Sequence, residues 1–221
     1  MSILSSVRAA GAPLQRASGA VILLHGRGAT AESMLSLADA LAVPGLAYLA
    51  PQAPGHTWYP YSFLAPIGDN EPSLSRSLAT VGQLVEALQA QGFSSQRLVL
   101  LGFSQGGCLA LEYAARRAQR FGAVIGFSAG LIGPALVPAT YSGAFAGTPA
   151  LLGCSDIDPH IPLARVHESG RVLRGIGAEV DVRIYPGMGH TINEDEIGRA
   201  RALLARVDED APSGSPRRRA D

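Results

Sequence analysis

Gly102-Phe103-Ser104-Gln105-Gly106 sets a serine between two glycines, where an apolar run at 98–103 meets a segment of helical period. A G-x-S-x-G run in that setting is the context of a nucleophile elbow, a strained turn that lifts the serine hydroxyl above the sheet edge. Glycine is a steric requirement there, because side chains at the flanking positions would collide with the adjoining strand and helix. The same pentapeptide also occurs as an ordinary strand-to-helix turn with an N-capping serine. The surroundings must decide between the two.

A serine hydroxyl is a poor nucleophile until a base takes its proton. His190, in Tyr185-Pro186-Gly187-Met188-Gly189-His190-Thr191, follows the last apolar run and precedes the last helical segment, in a glycine-rich loop able to turn an imidazole toward the elbow. Alone it would read as a surface or capping histidine. With the elbow present it reads as the general base. A histidine in that role needs a carboxylate to fix its tautomer and stabilise the imidazolium. Asp156 and Asp158 are the candidates, both in Gly153-Cys154-Ser155-Asp156-Ile157-Asp158-Pro159-His160-Ile161-Pro162. Two residues apart, they point in different directions, so one serves and the other accepts backbone hydrogen bonds within its loop. The resulting order of serine, acid and histidine along the chain is that of the α/β-hydrolases.

A tetrahedral intermediate also needs hydrogen-bond donors for its oxyanion, usually backbone N–H groups. Gln105, opening the helix after the serine, supplies one candidate, and Arg27 in Leu24-His25-Gly26-Arg27-Gly28 supplies the other. His25 is read as bracing that loop rather than as a second base. Neither G-x-G-x-x-G nor a Gly-Lys-Ser/Thr terminus is present, which argues against a nucleotide site.

Positioning these loops requires alternating strands and helices. Apolar runs at 20–24, 46–50, 98–103, 123–128, 150–153 and 180–185 read as strands, most of them apolar at successive positions as in strands covered on both faces. Segments at 30–41, 73–91, 105–120, 162–175 and 192–207 carry helical period. The predicted fold class is α/β: an α/β-hydrolase fold with a mostly parallel central sheet and helices on both faces. Ligands bind such sheets beyond the carboxyl ends of the strands, where the serine, acid and histidine loops all fall. The long irregular segment 51–72 is too apolar for a linker. Its Trp58, Tyr59, Phe63 and Leu64, with Met34 from another segment, read as an apolar substrate pocket under a flap, with core packing as the competing reading.

Composition bounds the rest. At 221 residues, 47% hydrophobic and 16% charged, the chain suits one globular domain and holds no apolar run of membrane-spanning length. A single domain over 1–208 is expected, with a disordered tail over 209–221 in which Arg217 to Arg219 are solvated charge. Basic and acidic residues balance at 18 each, which argues against nucleic acid or acidic lipid as partner. All the basic residues are arginine, a bias from which no chemistry follows. Cys108 and Cys154 lack the spacing of a metal site or redox pair and read as buried free thiols. The first residues do not form a secretory signal, so a cytoplasmic address is expected.

The combined motifs resemble the phospholipase/carboxylesterase family of small α/β-hydrolases, which includes acyl-protein thioesterases. The resemblance runs from about Val21 to about Val207 and rests on LHGRG, on Ala-Pro followed by Trp58-Tyr59, and on LGFSQGG, SDIDPHIP and YPGMGH. It implies a serine esterase, possible homodimerisation, and an acid at the aspartate that begins Asp-Pro-x-x-Pro, here Asp158. The expected reaction is hydrolysis of a small-molecule carboxylic ester or thioester by Ser104, His190 and Asp158, without metal or organic cofactor. Lactone opening in the manner of dienelactone hydrolases is a rival, opposed by serine at an elbow where those enzymes use cysteine. A non-catalytic receptor or scaffold is another, opposed by the complete set of three. The chain departs from the family at Cys154-Ser155, where His-Gly is usual, at His160, where an apolar residue is usual, and in the flap sequence HTWYPYSFLAP. Long acyl chains are therefore not implied, and His160 is read as an exposed loop residue, with contact to a substrate as the rival reading.

Overall fold

The computed structural model describes residues 3–141 and 143–209. Its seven strands, β1 (Arg8–Gly11), β2 (Gly19–Leu24), β3 (Leu46–Ala50), β4 (Leu98–Phe103), β5 (Ala123–Phe127), β6 (Pro149–Ser155) and β7 (Glu179–Tyr185), form one sheet in the order β1-β3-β2-β4-β5-β6-β7. Neighbours run parallel except β1, which pairs antiparallel with β3. The six anticipated strands are present, with ends shifted by a residue or two. The edge strand β1 was not anticipated, because RAAG is short, mostly exposed and free of β-branched residues.

Parallel strands β2 and β4 are buried except at Phe103, which ends β4, and successive side chains serve opposite faces. Ala20, Ile22 and Leu24 join the core under α3 (Ser73–Ala90), α4 (Gln105–Arg116) and α5 (Leu163–Gly175). Val21 and Leu23 join the core under α1 (Ala31–Leu41) and α6 (Glu194–Glu209). Each such leucine or isoleucine contributes ~1.5–3 kcal/mol by leaving water. Of the stripe that helical spacing predicts for α3, Leu74, Val81, Leu84, Val85 and Leu88 are buried and Leu78 is half-buried.

Three helix boundaries differ from expectation by two residues or more. Helix α4 stops at Arg116 rather than at 120. Helix α6 begins after Asn193, whose Oδ1 accepts from Glu196 N–H (2.9 Å) while Glu196 Oε2 accepts from Asn193 N–H (2.9 Å), a reciprocal cap. The same helix extends through Glu209, so the first residue assigned to the tail is helical. The rest of that tail, including Arg217 to Arg219, lies outside the described residues. Among the described residues no helix is long and apolar enough to cross a membrane. Segment 51–72 holds a short 3₁₀ turn (Pro54–His56) and the one-turn helix α2 (Ile67–Asn70).

Candidate active site

Ser104 stands between β4 and α4 with φ 54° and ψ −122°, a conformation that costs a non-glycine residue ~1–3 kcal/mol. Packing around it enforces the turn. A Cβ on Gly102 would lie 2.3 Å from the Gly106 carbonyl carbon, and one on Gly106 would lie 2.1 Å from Leu24 O. The flanking glycines are therefore required by close backbone approach, as the pentapeptide predicted. Ser104 N–H donates to Phe127 O (2.9 Å), fixing the elbow to the neighbouring strand.

His190 comes to the serine from the loop after β7, with Nε2 2.9 Å from Ser104 Oγ and Nδ1 2.7 Å from Asp158 Oδ2. An ionised carboxylate can only accept, so Nδ1 carries the proton and Nε2 is free to accept from the serine hydroxyl. The Asp158 side chain is fully buried, and its Oδ1 accepts from His160 N–H (2.9 Å) and Ile161 N–H (3.0 Å). Burial pushes its pKa up, but the His190 hydrogen bond and the two backbone donors outweigh burial and hold it below the usual carboxylate value. The Cys154 thiol lies 3.7 Å from Asp158 Oδ2. Asp156 points away and accepts from Gly187 N–H (2.8 Å), while Ser155 Oγ accepts from Gly189 N–H (3.1 Å). The acid loop thus carries the histidine loop on two side chains. Asp156 accepts a backbone hydrogen bond, as foreseen for the second aspartate, but from the histidine loop rather than from its own; the role of Ser155 was not foreseen.

His25 is buried and braces its loop. Its Nδ1 donates to Gly26 O (2.7 Å), which leaves Nε2 to accept from Ala53 N–H (3.0 Å), and burial holds its pKa below the usual value. Arg27 and Gln105 flank the serine, and both side chains bind the flap. The Arg27 guanidinium donates to Thr57 Oγ1 (3.0 Å), Pro60 O (2.8 Å) and Tyr61 O (2.6 Å). Gln105 Oε1 accepts from Trp58 N–H (2.9 Å), and its Nε2 donates to Tyr59 O (2.8 Å). Sequence reasoning had considered only their backbone N–H groups.

A cavity of about 640 Å³ opens over Ser104 and His190, its walls including Tyr59, Phe63, Phe103 and Cys108. Pockets for small molecules run to roughly 300–1,000 Å³. Tyr59 and Phe63 therefore sit where expected. Trp58, Leu64 and Met34 do not line it. Trp58 turns inward and donates from Nε1 to His25 O (2.8 Å), Leu64 packs against the core, and Met34 lies buried on α1 against the opposite face of the sheet. Their apolar character serves packing, the competing reading for these residues. His160, expected as an exposed loop residue with substrate contact as the rival reading, is exposed and lines the cavity, its ring edge-on to His190 at 4.8 Å. Both cysteines are buried and free, and no group of side chains with metal-ligating character occurs among the described residues.

The family model for Phospholipase/Carboxylesterase matches residues 7–207. The chain belongs to the phospholipase/carboxylesterase family. A crystal structure of a phospholipase/carboxylesterase from Dyadobacter fermentans DSM 18053 is 43% identical with a TM-score of 0.88, covering 90% of this chain and 96% of that one. Esterase PE8 is 26% identical with a TM-score of 0.77, covering 91% and 98%. Acyl-protein thioesterase 1 of Eremothecium gossypii is 28% identical over 98% of this chain and 99% of its own. For acyl-protein thioesterase 1 of Gibberella zeae the identity is 29%, and the match spans 62% of this chain and 63% of that protein's length. Membership in the phospholipase/carboxylesterase family accounts for the extent of the motif resemblance, which also ran over most of the chain.

Proposed function

We propose that this protein hydrolyses carboxylic esters, and thioesters of similar size, through an acyl-enzyme formed on Ser104. The observation that carries this reading is the continuous hydrogen-bonded chain from Asp158 through His190 to Ser104 at the mouth of the cavity. His190 takes the Ser104 proton as Oγ adds to the acyl carbon, and returns it to the departing alcohol or thiol. Water, deprotonated by the same imidazole, then adds to the acyl carbon and releases the acid and free Ser104. Asp158 holds the imidazole in the tautomer this cycle needs. Gln105 N–H, at the first position of α4, is a donor the helix cannot satisfy internally, and we assign to it and to Arg27 N–H the stabilisation of the oxyanion. Names of relatives that include esterase, carboxylesterase and acyl-protein thioesterase support the same reaction class.

The test combines labelling with turnover. A fluorophosphonate probe is expected to modify Ser104 in the folded protein, and Ser104→Ala is expected to lose hydrolysis of 4-nitrophenyl acetate while keeping the wild-type circular-dichroism spectrum. Most of the activity surviving in that variant would overturn the assignment.

A further inference from the structure

The walls of the catalytic cavity contain no aspartate or glutamate among the described residues, yet they include Arg27, whose guanidinium is bonded to the wall residues Pro60 and Tyr61. In a chain with zero formal net charge this is a local asymmetry. Three neutral oxygens, Thr57 Oγ1, Pro60 O and Tyr61 O, take three of its five N–H bonds and fix the guanidinium plane. Nε–H and one N–H of Nη2 remain without an acceptor among the described residues, and no ion pair neutralises the charge. Two remaining N–H donors on one charged guanidinium suit a carboxylate.

The position of Arg27 says which part of a substrate it meets. The leaving group must lie beside His190, which arrives from the β7 side of the sheet. Arg27 follows β2, on the other side of β4 and Ser104. The acyl group, pointing away from His190, extends toward the flap and Arg27. Resting on the esterase reading above, we infer that the preferred substrates are esters whose acyl chain carries a second, free carboxylate, held by Arg27. A flap clamp alone would need the three hydrogen bonds but would not need the cavity to be free of opposing carboxylates.

The experiment compares 4-nitrophenyl pentanoate with mono-4-nitrophenyl glutarate, in which a carboxylate replaces the terminal methyl, using Ser104→Ala to subtract spontaneous hydrolysis. In both, water adds to the acyl carbon and 4-nitrophenol departs with the proton. The wild-type protein is expected to favour the glutarate ester in kcat/KM by about tenfold or more. That ratio is expected to fall as salt rises to about 0.5 M, to collapse in Arg27→Gln, and to persist in part in Arg27→Lys. Loosening of the flap would slow both esters alike and leave the ratio unchanged. Binding of monomethyl glutarate to Ser104→Ala protein, followed by calorimetry, reads the same contact without turnover, and is expected to weaken when Arg27→Gln is added. A wild-type ratio near or below one, a ratio indifferent to Arg27→Gln, or equal binding with and without Arg27 would overturn the inference. Turnover of neither ester, with monomethyl glutarate still bound through Arg27, would overturn the esterase reading and leave the carboxylate site standing.

Discussion

Gln105 and Trp58, 47 positions apart, are joined by a 2.9 Å hydrogen bond from the Trp58 N–H to the Gln105 side-chain carbonyl. The residue after the elbow serine therefore grips the flap that walls the cavity, and it grips twice, since its amide nitrogen also donates to Tyr59 O. Truncation would leave the Trp58 N–H without this partner inside the protein, at ~1–3 kcal/mol, while the Tyr59 carbonyl keeps the Thr57 hydroxyl (3.0 Å). Gln105→Ala is expected to lower stability by about that amount and to raise KM more than it lowers kcat, because the backbone N–H beside Ser104 survives the change. Denaturant melts and Michaelis–Menten analysis read the two effects; a fall confined to kcat would contradict this division of labour.

The two aspartates of the acid loop are expected to separate cleanly on substitution. Asp158 bonds His190 directly, whereas Asp156 accepts from a backbone N–H in the histidine loop. Asparagine at position 158 can donate to Nδ1 and so favours the wrong tautomer, with a loss in kcat on the order of 10⁴ for such a change in a serine triad. Asp156→Asn keeps an oxygen for the Gly187 N–H and is expected to cost less than about tenfold. Comparison of the two kcat values decides it, and similar losses would mean the assignment is wrong.

The candidate site was legible because it rests on residue types that loops after parallel strands place in a fixed order. Ser104, His190 and the need for glycine at 102 and 106 follow from residue types and backbone sterics, whereas the choice of Asp158 over Asp156 came only from the family resemblance. The fates of Trp58, Leu64 and Met34 were not legible, since an apolar side chain carries no mark of whether it faces a cavity or a core. Arg27 and Gln105 show a second limit. Their side chains meet carbonyls 33 to 46 positions away, partners set by where the flap folds and by no local pattern. Strand β1 was missed for a third reason: it is held by pairing with β3, not by any propensity of its own.

Gly102→Ala offers a test of how tightly the elbow is packed. The added Cβ would sit 2.3 Å from both the carbonyl carbon and oxygen of Gly106, and 2.5 Å from Gly107 N. Those atoms are helix backbone and cannot rotate away, so the clash must shift α4 relative to β4. A loss well beyond the ~1–3 kcal/mol of ordinary overpacking is expected, seen as poor soluble yield or a large fall in denaturation midpoint. A folded variant of near wild-type stability would show that the strand and helix can separate there.

Glu196 gives the stability a pH dependence of definite sign. Its side chain is buried against Gly153, Oε1 has no partner, and burial raises its pKa from the ordinary 4.5 to about 7. Between those values the folded state holds a proton that the unfolded chain has released, so this group makes stability fall as pH rises from about 4.5 to about 7. Above that window the penalty is full, on the order of 3 kcal/mol. Glu196→Gln removes the titration while keeping an oxygen for the Asn193 N–H. The variant is therefore expected to gain on wild type as pH rises from 5 to 8, and to lose that advantage again at pH 5. Urea midpoints for both proteins across that range measure the difference, and a gap independent of pH would show that Glu196 is already ionised in the folded protein at the acid end.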